Sequence, residues 1–275
     1  MTTADIPQGM LLKTLAGWNQ LPVDWERFLE FEPDGCFVAE HEGHFAGTAT
    51  TIAYEQLFGW VGMVLVHPDM RRKGIGTALL MGGIEYLEHY GVAAVKLDAT
   101  PQGKQLYDTI GFVDEYVLER WQGPGVAGSP PAGLQPLTLA DLPALAEFDQ
   151  PIFGADRRRV LQRLVTEPTI RTAAAWDGDR LRGYGAVRPG QNACYLGPWI
   201  ATDPEVAAAL WAWGRATVGP QPLFVDVMLP CPGALPLVEQ SGFAKQRHLI
   251  RMYRGENVSP GHPELQYGVF GPEIG

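Results

Sequence analysis

The chain has 275 residues, 46% hydrophobic and 19% charged, which is long enough for two domains and too apolar for a disordered segment. Its net charge of −10 is carried almost wholly by residues 1–123, which argues against non-specific nucleic-acid binding, because that needs Lys and Arg to neutralise phosphates. No apolar run reaches the ~20 residues needed to cross a bilayer, residues 1–10 lack a leader pattern, and Cys36, Cys194 and Cys231 lie far apart. These features lead us to expect a cytoplasmic protein with no disulfide framework and neither a membrane nor a nucleic-acid partner.

In chain order, Asp5 is placed to cap a helix that carries Pro7 in its first turn, runs to Leu15 and stops near Gly17. Asp24 reads as the cap of a second helix over 25–29. Strands are predicted over 36–40 and 45–54, joined by His41-Glu42-Gly43-His44, and over 60–66, ending at His67-Pro68. Leu80, Ile84 and Leu87 recur at helical spacing, giving a helix over 77–90 that Gly91 ends. A strand over 92–97, a short helix over 105–109 and a strand over 112–121 follow.

Residues 123–136 are dense in Gly and Pro and read as a linker. Beyond it the order repeats loosely: helices over 140–148 and 157–165, strands over 171–176, 181–187 and 193–200, a helix over 205–218, a strand over 223–228 and a closing segment over 242–253. Antiparallel strands followed by a strand–helix–strand crossover predict an α+β layer fold. The boundaries are a first domain over 1–122, the linker over 123–136, a second domain over 137–255 and a tail over 256–275. Arg157-Arg158-Arg159 with Arg163 is expected to form a solvated helix face.

The segment Arg71-Arg72-Lys73-Gly74-Ile75-Gly76 lies between a predicted strand and a predicted helix. Glycines allow a tight turn, and N–H groups at a helix start favour an anion such as pyrophosphate, which three cations reinforce. A solvated basic loop would have the same composition. The context decides: Q/R-x-x-G-x-G/A between strand and helix is similar to the hallmark of the GNAT superfamily of N-acetyltransferases. Leu106-Tyr107-Asp108-Thr109-Ile110-Gly111-Phe112 resembles the family's second signature, at the expected distance.

The resemblance implies two GNAT-like domains, each a mixed, mostly antiparallel central sheet flanked by helices, with acetyl-CoA as cosubstrate. The cofactor would pair with Val64, Leu65 and Val66, set its pyrophosphate on Arg71, Arg72, Lys73, Gly74, Ile75, Gly76 and Thr77, and meet Thr100, which stands where the family often has Asn. Tyr107 falls where many members protonate the departing thiolate, so it is read as both catalytic and cofactor-facing. Some members carry a glutamate base on the cofactor strand, where this chain has Trp60. Asp98, or water relayed from another carboxylate, is the alternative base. Trp18, Asn19, Trp25 and Phe28 are candidates for the acceptor site, with core packing as the competing reading for each.

The family's usual first strand is missing ahead of the first helix, and residues 264–270 are a candidate to fill that edge. Residues 134–254 resemble the C-terminal domain of bacterial tandem GNAT proteins, through Gly183-Tyr184-Gly185, Arg188-Pro189-Gly190, Tyr195-Leu196-Gly197-Pro198, Ser241-Gly242-Phe243 and Arg251-Met252-Tyr253-Arg254-Gly255. Phe270-Gly271-Pro272-Glu273-Ile274-Gly275 is similar to that group's ending. Its loop Ile200-Ala201-Thr202-Asp203-Pro204-Glu205 lacks the glycines and the basic residue, so the second domain is expected to bind no cofactor and to shape the acceptor site or a homodimer. The histidines show no metal-ligand spacing, and no metal is expected. The implied activity is acetyl transfer to a primary amine, on a small molecule or a peptide. The competing class is an acyl-CoA-binding regulatory sensor that transfers nothing.

Overall fold

Pro7 opens α1 (Ile6–Leu15) at a position where a missing N–H costs nothing, and α1 ends just before Gly17, whose φ is 68°. Helix α2 (Pro22–Phe31) starts earlier than the cap reading implied, because Asp24 sits inside the first turn and accepts the Leu21 N–H at 2.6 Å. Strands β1 (Cys36–His41) and β2 (His44–Tyr54) form a hairpin. Its central residues Glu42 and Gly43 both have positive φ, the requirement of the turn that matches strand twist. Next come β3 (Phe58–Val66), α3 (Ile75–Tyr90), β4 (Ala94–Ala99) and α4 (Pro101–Thr109). Gly91 ends α3 in the left-handed region, as the sequence predicts.

This computed structural model describes residues 1–275 and falls into two compact units; the first holds residues 1–114, 252–258 and 273–275. Its sheet runs β1-β2-β3-β4, antiparallel until the parallel β3–β4 pair. Helix α3 packs on one face: a Cβ added to Gly83 would stand 3.2 Å from Thr51 and 3.3 Å from Val61. Trp25 and Phe28 of α2 are buried in the core.

The second unit holds residues 115–251 and 259–272. It contains β5 (Val113–Pro124), β6 (Leu134–Gln135), α5 (Leu142–Phe153), α6 (Arg158–Thr166), β7 (Arg171–Asp177), β8 (Arg180–Arg188) and β9 (Cys194–Ala201). Helix α7 (Pro204–Val218), β10 (Pro222–Met228), α8 (Ala234–Gln240), β11 (Ala244–Gly255, whose last four residues belong to the first unit) and β12 (Gln266–Gly268) complete it. The strand order is β11-β5-β10-β12-β9-β8-β7-β6. An aromatic stack anchors the core, with Trp199 centred 5.2 Å from Trp211 and 4.9 Å from Tyr267.

Two strands sit where the sequence order does not suggest. Strand β5 follows the first half's last helix, yet pairs with β10 from Leu118↔Met228 to Pro124↔Pro222. The last residues of β11 flank β4 in the first unit, where the Glu256 N–H donates to the Ala93 carbonyl at 2.9 Å. The division therefore falls at residue 114, ahead of the Gly/Pro-rich stretch. Within that stretch Gly125 and Val126 donate to the Gln221 and Arg215 carbonyls of the second unit.

Two expectations are corrected. Arg157 is buried rather than solvated: its guanidinium grips Asp149 at 2.7 and 2.8 Å and also reaches the Tyr184 hydroxyl. A charge taken out of water needs such a bidentate partner. Residues 264–270 do not supply a first strand to the first unit, because β12 lies in the second unit between β9 and β10.

Candidate cofactor and acceptor site

Strands β3 and β4 pair over only three residues, Phe58↔Ala94, Gly59↔Val95 and Trp60↔Lys96. Against β2, the register of β3 shifts: Thr48 faces Leu65, but Thr50 faces Gly62, so β3 carries one extra residue. This is a β-bulge, and it centres on Met63, whose φ of 50° is unusual for a side chain of that size. The buried Thr48 hydroxyl donates to the Met63 carbonyl at 2.9 Å and fixes the bulge. Past Trp60 the two strands part, leaving Val64, Leu65 and Val66 along the open side of a wedge.

The glycine loop closes the top of that wedge. Arg71, Arg72, Lys73 and Gly74 are exposed, and the Arg71 guanidinium donates to the Val66 carbonyl at 3.4 Å. Gly74 has φ 78° with open space where a Cβ would stand. The helix ladder begins with Ala78 N–H to Gly74 C=O at 2.9 Å, so the N–H groups of Ile75, Gly76 and Thr77 precede it. A helix start, three cations and an open cradle suit a phosphorylated ligand.

At the far side of the wedge, Thr100 caps α4 by accepting the Gly103 N–H at 3.2 Å, which leaves its own hydroxyl proton to be donated elsewhere. Tyr107 folds back over that first turn: a Cβ on Gly103 would lie 3.0–3.2 Å from its ring and hydroxyl. Phe112 supports the ring from 6.0 Å, and burial pushes the Tyr107 hydroxyl pKa up. The tyrosine is thus held protonated near the end of β4, where Asp98 is partly exposed. Trp60, in the position compared with the family's glutamate, is buried at 1% exposure.

The acceptor candidates separate. Trp18 is half-buried and Asn19 buried in the α1–α2 loop, while Trp25 and Phe28, at 0% and 2% exposure, pack inside and present no surface. Sequence reasoning missed their neighbours. Gln20 in that loop donates to Glu273 at 3.0 Å, and the Tyr54 hydroxyl donates to the Ile274 carbonyl at 2.6 Å. Only the closing Phe270–Gly275 motif hinted that the chain's end matters.

The corresponding wedge of the second unit is filled. Strands β9 and β10 pair in parallel only at Cys194↔Leu223 and Tyr195↔Phe224, and β12 enters where they part. Gly268 faces Val227 on one side and Trp199 on the other. At the start of α7, Asp203 accepts the Val206 N–H at 2.9 Å and pairs with Arg182 at 3.0 Å. A carboxylate therefore occupies the helix start that would otherwise receive a phosphate.

Comparisons with known proteins fit this geometry. Residues 11–112 match the Acetyltransferase (GNAT) family and residues 145–268 match the Acetyltransferase (GNAT) domain. The chain is 29% identical over 173 residues to the uncharacterized N-acetyltransferase YitH of Bacillus subtilis, covering 61% of this chain and 59% of that protein. It is 27% identical over 114 residues to the mycothiol acetyltransferase of Acidimicrobium ferrooxidans, covering 36% and 37%. The chain thus spans less than two thirds of the length of these curated relatives. The crystal structure of a candidate acetyltransferase from Pyrococcus horikoshii superposes with a TM-score of 0.87 at 23% identity, over 100% of this chain and 94% of that one. A tandem GNAT protein from the clavulanic acid biosynthesis pathway gives 0.62 at 14% identity, over 93% and 97%. Both halves match GNAT family models, and the chain belongs to the GNAT acetyltransferase family as a protein of two GNAT domains.

Proposed function

We propose that this protein transfers an acetyl group from acetyl-CoA to a primary amine by direct attack, with the cofactor held by the first unit. The observation that carries the reading is the wedge of β3 and β4, bulged at Met63 and closed by a basic glycine loop at the start of α3. The thioester arm suits the open edge of Val64, Leu65 and Val66, as an added strand. A backbone N–H there serves the oxyanion, and the N–H groups of Ile75, Gly76 and Thr77 serve the pyrophosphate. Thr100 donates its hydroxyl to the cofactor, and Tyr107 hands a proton to the departing thiolate.

Cysteine chemistry supports direct attack over an acyl-enzyme. Burial pushes the Cys36 thiol up to about 12 and the Cys231 thiol up to about 11, so neither offers a thiolate near neutral pH. Trp18 and Asn19 of the α1–α2 loop are the side chains proposed for the acceptor. The excess of carboxylates in residues 1–123 favours a cationic amine. No helix is long and apolar enough to cross a membrane.

The test is a mass-spectrometric screen of the purified chain with acetyl-CoA against spermidine, glucosamine, kanamycin and peptides with a free N-terminus. Acetylation of one class carries the reading. Acetyl-CoA bound without a product on any amine favours the sensor alternative.

A further inference from the structure

Gly62 of β3 stands one residue before the bulge, and a Cβ built on it would meet the Glu273 carbonyl oxygen at 2.4 Å and its Cα at 3.0 Å. Only a glycine lets the chain's end approach the cofactor strand so closely. Gly62 points away from α3, because α3 packs against Val61, and neighbouring residues of a strand alternate in direction. Glu273 therefore lies on the face opposite α3, beside the point where the strands part.

That place is polar and incompletely satisfied. Thr50 is the partner of Gly62 across the β2–β3 pair and shares its face; it is 0% exposed, and its hydroxyl has no hydrogen-bond partner. Gln20 commits its amide N–H to Glu273 at 3.0 Å, while its amide oxygen is buried without a partner. Glu273 itself is 6% exposed. Buried acceptor atoms with no donor are costly unless a ligand supplies one.

We propose that Glu273 is the general base of the transfer and that, with the Gln20 amide oxygen and the Thr50 hydroxyl, it forms the subsite for the acceptor's ammonium group. This rests on the acetyl-transfer reading and assigns the base it lacked. The acceptor arrives as R–NH3+, and the Glu273 carboxylate takes one proton. The nitrogen lone pair then forms the N–C bond at the acyl carbon. Collapse breaks the C–S bond; the thiolate takes its proton through Tyr107, which recovers one from the new amide nitrogen, and Glu273 releases its proton to water.

The experiment compares wild type, Glu273→Gln, Glu273→Asp and Glu273→Ala, with acetyl-CoA and the best acceptor from the spermidine, glucosamine, kanamycin and peptide panel. Glu273→Gln keeps the shape and the bond from Gln20, so kcat should fall at least ~100-fold while the Kd for acetyl-CoA stays within about twofold. Glu273→Asp should retain more activity than Glu273→Gln. Added formate should restore turnover to Glu273→Ala and not to Glu273→Gln. Wild-type transfer that Glu273→Gln preserves overturns the base and leaves the enzyme reading standing. No transfer by wild type to any amine removes both. If Glu273→Gln loses acetyl-CoA binding or melts early, formate decides: rescue of Glu273→Ala upholds the base, and no rescue overturns it.

Discussion

The Thr48 hydroxyl and the Met63 carbonyl are joined by a buried hydrogen bond of 2.9 Å at the point where β3 gains its extra residue. The bond links a residue of β2 to the bulged residue of β3. Thr48→Val keeps the shape and removes the bond, leaving a buried carbonyl unpaired. We expect a loss of about 1–2 kcal/mol of stability and a roughly tenfold lower kcat, read by thermal melts and steady-state kinetics. Unchanged kcat would show that the bulge holds without Thr48.

Gly74 tests the phosphate cradle. Its φ of 78° costs roughly 1–2 kcal/mol for a residue with a side chain, although the space around it is open. Gly74→Val should weaken acetyl-CoA binding at least tenfold by calorimetry, through backbone strain that turns the N–H groups away. Equal affinity would mean that the phosphates bind elsewhere.

Tyr107 is expected to affect both activity and alkaline stability. Burial raises its pKa in the folded chain, so the folded state holds the proton to a higher pH than the unfolded chain, whose tyrosine titrates near ~10. Stability from this group is complete below that value and is lost as pH rises through the folded pKa. Tyr107→Phe should lower kcat about 100-fold, spare acetyl-CoA binding and flatten the decline in melting temperature above pH ~10.

Lys13 is fully buried on α1, and its ammonium has no hydrogen-bond partner. Burial lowers its pKa, with Asp24 opposing. Because the folded pKa is depressed, stability should rise with pH from that folded value toward the ordinary lysine range. Asp24 keeps its partner Arg27 when Lys13 is replaced. Lys13→Met should therefore raise stability by roughly 1–3 kcal/mol and remove the alkaline gain, which melts taken from pH 7 up to about 10.5 would check.

The filled wedge of the second unit predicts a stoichiometry of one acetyl-CoA per chain. Asp203→Ala removes both the α7 cap and the pair with Arg182. It should cost about 1–2 kcal/mol and leave the acetyl-CoA affinity unaltered, by melts and calorimetry. A second cofactor bound to wild type would show that β12 yields its place.

The sequence by itself determined the elements that depend on neighbours along the chain. Gly91 could be read as the end of α3 because only glycine is at ease at that left-handed position. The tight turn ahead of α3 could be read from Gly74, whose left-handed backbone at the helix start suits a glycine.

What tertiary structure decided involves residues remote in sequence or signals without a period. The bulge at Met63 follows from a register against β2 that strand alternation does not reveal. Strand β5 pairs with β10, and β12 enters between β9 and β10, because each buries its backbone polar groups against a partner that only folding brings near. Trp25 and Phe28 had the composition of an aromatic binding wall and went to the core, since an apolar ring gains more from burial than from lining a wet cleft. Glu273 reaches Gly62 because a missing side chain on β3 leaves room for the chain's end, a fit of shapes to which no local pattern points.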